Sequence, residues 1–183
     1  APKLSIEDGI ESVRKAGSKQ HYNITHVEMV SAADISRFKS LNVDADFQVG
    51  ADYLGKADHN WAIPLIGKDR AHNLVPLREI YDTGANVTLS SDWNVNPISP
   101  LAGIANAVKL REKGLPDVRA AIDAYTINAA KALGLESVAG SIEVGKSADL
   151  VILDRNIIGQ TPDIIRSAKV IQTVLQGEIV YAK

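Results

Sequence analysis

The chain has 183 residues, 45% of them hydrophobic, a formal net charge of −2 and no cysteine. That length supports one substantial core or a core with a small appendage, and the scattered lysines and arginines leave no basic footprint for nucleic acid or an anionic membrane surface. Without cysteine there are no disulfides, thiolate nucleophiles or Cys-based zinc sites, so oxygen and imidazole are the metal ligands on offer.

Residues 5–16 set Ile6, Ile10 and Val13 on one helical face, with Ser5 as N-cap, Glu7 and Asp8 in the first turn and Gly17 as the stop. The stretch 21–30, HYNITHVEMV, is rich in β-branched and aromatic residues and reads as a strand. Ser31 then caps a predicted helix over 32–42, followed by a strand over 43–49, VDADFQV. A helix is predicted over 69–84 despite Pro76, then a strand over 85–91, ANVTLSS, and two helices over 97–114 and 115–134, each ending at glycine. Strands alternating with helices imply parallel βαβ units, whose ligands gather at the carboxyl ends of the strands. His26, Gln48 and Asp92 all stand at such ends.

After Gly134 the pattern changes to apolar–polar alternation around glycine turns over 140–154 and 168–183, as in antiparallel strands with one wet face. A boundary is expected near 136–140, giving units of 1–137 and 138–183, the second too small for a core of its own. Residues 140–147, GSIEVGKS, fit the phosphate-loop spelling. The reading is rejected, because such a loop follows a buried strand and opens a helix, whereas here a helix precedes it and a β-like run follows. No apolar run approaches a membrane span, and the first residues lack a signal-peptide layout, so cytoplasm is the default expectation.

From position alone, Asp92 in LSSDWNVNP reads equally as a turn or cap residue and as a functional carboxylate, and His26 as a structural histidine or a ligand. His72 is expected on a helix surface and His59 on a long loop as a solvated residue. Trp61 and Trp93 are expected either to wall an apolar pocket or to pack in the core.

Three segments carry a resemblance that periodicity does not supply: residues 24–48, residues 65–108, and residues 125–156, where Thr-x-Asn-x-Ala runs into Gly-Ser-Ile-x-x-Gly-Lys-x-Ala-Asp-Leu-Val. Together they resemble the C-terminal part of metal-dependent amidohydrolases, in the branch that includes N-substituted formamide deformylases. The resemblance implies an α/β fold: the last strand–helix units of a (β/α)₈ TIM-type barrel, plus the C-terminal strands of a small β-sandwich. It implies that His26 matches the metal-binding histidine of the sixth barrel strand. Asp92 then matches the aspartate after the eighth, a metal ligand and the catalytic base that takes a proton from water and returns it to the leaving nitrogen. Glu28 or Thr25 would orient the imidazole. The His-x-His of the first strand occurs nowhere in this sequence. Thr25, Val49 and Asn94 depart from the family pattern, which often has Glu at the first position and Pro at the other two.

The function implied is hydrolysis of amide-like, non-peptide C–N bonds in a small substrate. It would use a divalent metal, zinc by its ligand chemistry, in the complete enzyme; this chain alone would hold that metal weakly or not at all and would be inactive. A second expectation is a stand-alone, non-catalytic domain whose open strand edges pair with another copy or another chain.

Overall fold

In the computed structural model, residues 6–17, 21–50 and 59–183 are described. Their first half is a mixed α/β arrangement on a parallel sheet of β1 (Tyr22–Thr25), β2 (Val43–Phe47) and β3 (Val87–Leu89), in the order β1-β2-β3. Tyr22 lies opposite Val43, and Ala45 opposite Val87. Helix α1 (Ile6–Ala16) buries Ile6 and Ile10, and Gly17 ends it with φ of 55°; the predicted Ser5 cap falls outside the described residues. Helix α2 (Ala32–Ser40) returns the chain from β1 to β2 and buries Phe38. At its N-cap Ser31 makes no bond to a backbone N–H; its Oγ donates to Asp34 Oδ2 at 2.6 Å, and Arg37 holds the other oxygen of Asp34 at 2.7 Å.

The predicted helix over 69–84 is broken. A 3₁₀ turn (Asn60–Ala62) and α3 (Ile63–Ile66) lead into α4 (Lys68–His72), and α5 (Leu77–Asp82) follows after a gap. Proline has no N–H and pushes the residue before it out of the α region. Val75 has left the helix, at φ of 54°, and its N–H donates to Glu28 O at 2.8 Å, so the gap pairs with the segment after β1 instead of with helix. Helix α6 (Pro100–Lys109) begins with proline in its first turn, and the predicted helix over 115–134 divides at Thr126 into α7 (Val118–Tyr125) and α8 (Ile127–Ala132). Asp117 caps α7 by accepting from Ala120 N–H at 2.9 Å.

The C-terminal residues form an antiparallel sheet in the order β4-β5-β6, from β4 (Leu150–Leu153), β5 (Val170–Leu175) and β6 (Glu178–Ala182). Strand starts later than the alternation suggests: residues 140–149 are bends, a turn and irregular backbone, and the short helix α9 (Pro162–Ser167), unanticipated from the sequence, precedes β5. Helix α9 packs on α6, and Ile157, Ile165 and Ala168 join one core with Phe38, Phe47 and Leu77. Among the described residues no helix is long and apolar enough to cross a membrane.

Candidate active site

The parallel strands end side by side, so the residues just past β1 and β3 share one rim of the sheet even though β2 lies between them. His26 follows β1 with φ of 56°, and Asp92 follows β3 with φ of 54°. Left-handed backbone disfavours L-residues and persists only where the surroundings over-determine it. Here it turns both side chains toward each other: His26 Nε2 lies 3.8 Å from Asp92 Oδ2. Both are partly open to solvent, at 54% and 35% exposure.

The other ring nitrogen, Nδ1, is 3.2 Å from Glu28 Oε1. Of the two orienting partners expected, Glu28 is the one in contact. With the proton on Nδ1, the ring donates to Glu28 and presents the Nε2 lone pair toward the Asp92 carboxylate. Two electron-rich atoms held face to face in this way call for a proton or a cation between them. A tetrahedral ion bonded at about 2.1 Å to each would set them about 3.4 Å apart, close to what is seen, so the pair fits as part of a divalent-metal centre. It is only part of one: among the described residues no group of three or more His, Asp or Glu could hold an ion.

The segment carrying Asp92 is held from below. Asp46, on β2, accepts from Thr88 Oγ1 at 2.9 Å and from Ser90 Oγ at 2.7 Å, while Ser90 N–H donates to Phe47 O at 3.0 Å. These bonds tie the end of β3 to β2 two residues before Asp92. Asn96 Nδ2 donates to Ser91 O at 2.8 Å, and Val95 N–H to Asp92 O at 2.7 Å, closing the turn that follows. The one sequence signal for this network was a pair of carboxylates, Asp44 and Asp46, in an otherwise apolar strand opposite the hydroxyls of β3.

At the opposite end of the sheet, a cavity of about 440 Å³ is lined by His21, Lys39, Asp44, Asn86, Lys131 and Glu136 among others. His21 Nε2 is 3.0 Å from Asp44 Oδ1. Burial raises the Asp44 pKa, opposed by the Asn86 amide and His21. His59, expected to be solvated, is fully buried, and His72 is exposed at the end of α4 as anticipated. Trp61 and Trp93 are exposed, which excludes core packing for either. No helix follows residues 140–147; Lys146 Nζ is bonded to Ser141 and Glu143, and a side chain at Gly140 would lie 2.6 Å from Ala130 Cβ, so that glycine serves close packing against α8.

A model of the amidohydrolase family matches residues 5–181. An N-substituted formamide deformylase of Arthrobacter pascens is 28% identical over 189 residues, covering 97% of this chain and 34% of that protein. The chain spans about a third of the length of the curated relatives it matches. Among solved structures, an uncharacterized metal-dependent hydrolase from Pyrococcus horikoshii superposes with a TM-score of 0.72 at 21% identity, over 86% of this chain and 33% of that one. A zinc-bound adenosine deaminase from Xanthomonas campestris gives 0.65 at 17%, over 87% and 37%. At these identities the structural likeness speaks for the fold alone.

Proposed function

This chain belongs to the amidohydrolase family, and on that premise we propose that it is the C-terminal portion of a metal-dependent hydrolase of small, amide-like, non-peptide C–N substrates. In this reading residues 1–137 supply the last strand–helix units of a (β/α)₈ barrel and residues 138–183 the C-terminal strands of a small sandwich. The observation that carries it is the 3.8 Å approach of His26 Nε2 and Asp92 Oδ2 across the intervening strand. His26, oriented by Glu28, and Asp92 are proposed metal ligands. A divalent metal such as zinc would supply Lewis acidity, making water a nucleophile near neutral pH. Asp92 takes the proton of the attacking water and hands it to the departing nitrogen. Trp93, exposed and next to Asp92 in the chain, would meet the organic part of the substrate.

The test is hydrolysis of an N-substituted formamide series by the longer protein, with Asp92→Asn beside it. The amide keeps the shape and loses the base, so kcat should fall about 10²–10⁴-fold with the fold intact. Near-normal turnover would end the assignment. In this chain alone, two ligands fill two of about four positions around zinc, so a chelator should leave Tm unchanged.

A second reading has a specific observation behind it: Ile179, Val180 and Tyr181 on β6 are all exposed. In that reading the chain acts alone without catalysis and covers this strand by self-association. Sedimentation of a monodisperse monomer at high concentration would remove it.

A further inference from the structure

Helix α6 is alanine-rich and buried, yet it carries an amide at its most enclosed point. Asn106 is 1% exposed between Ala105 and Ala107, both fully buried. A primary amide so placed is costly unless both its ends are bonded. Its Nδ2 donates to Val49 O at 2.7 Å, and its Oδ1 accepts from Arg166 Nη2 at 2.5 Å. Arg166 sits on α9, in the C-terminal unit, and Val49 stands just past β2 at the rim that carries His26 and Asp92. A guanidinium on the amide oxygen polarises the group and strengthens its N–H as a donor.

The carbonyl so gripped belongs to the peptide joining Val49 to Gly50. Gly50 is wedged: a Cβ there would lie 3.3 Å from Ser91 Cα and 3.2 Å from Asn96 Cβ. Ser91 immediately precedes Asp92, and Asn96 holds Ser91 O. We propose that Arg166 and Asn106 are positioning residues for Asp92, acting through the Val49–Gly50 peptide, so that the docking of α9 sets the geometry of the catalytic rim. The left-handed backbone of Asp92 needs such external support. The coupling itself is independent of chemistry; its consequence for turnover rests on the proposed role of Asp92.

Two measurements separate these levels. In this chain, Arg166→Ala and Asn106→Asp should each shift the amide resonances of Gly50, Ser91 and Asp92. Arg155→Ala, which removes an exposed arginine paired with Asp154 in the same unit, should leave them in place. Arg166→Lys, which keeps a donor, should restore part of the shift. In the longer hydrolase the same variants should lower kcat by about tenfold to 10²-fold, the effect of a sub-ångström to 1 Å displacement, with KM and metal content unchanged. Unmoved Gly50, Ser91 and Asp92 resonances in folded Arg166→Ala overturn the proposal. So does an equal loss in Arg166→Ala and Arg166→Lys. Should Asn106→Asp not fold, Arg166→Gln replaces it, since Arg166 is exposed. Shifted resonances with full activity in Asp92→Asn would keep the coupling and sink only the role assigned to Asp92.

Discussion

Strands β2 and β6 invert the usual rule of burial. The first, VDADF, holds two carboxylates and is buried at every position; the second, EIVYA, holds Ile179, Val180 and Tyr181 and is exposed at every position. Position decides this. β2 lies between two parallel neighbours, with helices over the face of Val43, Ala45 and Phe47, whereas β6 is the outer strand of its sheet. A carboxylate inside is tolerable where hydroxyls meet it, as Thr88 and Ser90 meet Asp46. Apolar side chains left outside side by side offer a surface that a partner could cover. Hydropathy alone would have ranked the two strands the wrong way round.

The sharpest way to test that contrast is on the apolar face of β2. Phe47→Ala should destabilise the chain by about 3–5 kcal/mol in urea unfolding, since the ring is fully enclosed and its loss leaves a cavity. On the opposite face, Asp46→Ala strips Thr88 of its acceptor in a buried setting and should cost about 1–3 kcal/mol. A neutral or stabilising outcome would mean that burying the carboxylate costs more than its two bonds return, and would break the argument for β2.

The pH dependence of stability sharpens the contrast further. Burial raises the pKa of Asp44. Its contribution to stability is therefore complete below the ordinary carboxylate range and is lost as pH rises through the raised value. Glu11 and Asp154 run the other way. The Arg14 side chain holds Glu11 down to about 2, and Arg155 holds Asp154 down to about 2. Their contribution is present above the ordinary range and is lost as pH falls through about 2. Asp44→Asn should thus flatten the decline in Tm as pH rises above the ordinary carboxylate range and leave the acid limb unchanged. The smallest effect belongs to β6: Ile179→Thr should change stability by about 0.5 kcal/mol or less. If β6 is an association surface, the same substitution should weaken self-association in sedimentation.

Much of the parallel region was legible because it is locally coded. The β-branched run before His26, the glycine stops at Gly17 and Gly134, and the turn-forming residues after Asp92 each declare an element or its end within a few positions. Asp92 and His26 were legible as a pair only through resemblance, since 66 positions and a whole strand separate them in the chain. Helix α9 was missed because PDIIRS is too short to show a period, and what holds it is the surface of α6. The break at Val75 was half visible: Pro76 announced a disturbance, but the pairing with Glu28 that turns it into a full interruption is a tertiary contact.

What the sequence determined by itself, then, is the alternation of the parallel strands with helical segments, the shift to antiparallel strands after Gly134, and the residue types available for chemistry. These follow from periodicity, turn residues and composition, which act over short spans. The tertiary structure alone decided that Asp46 anchors Ser90 and that Arg166 reaches Asn106. A side chain's partner across 44 or 60 residues depends on which surfaces pack, and no local pattern encodes that.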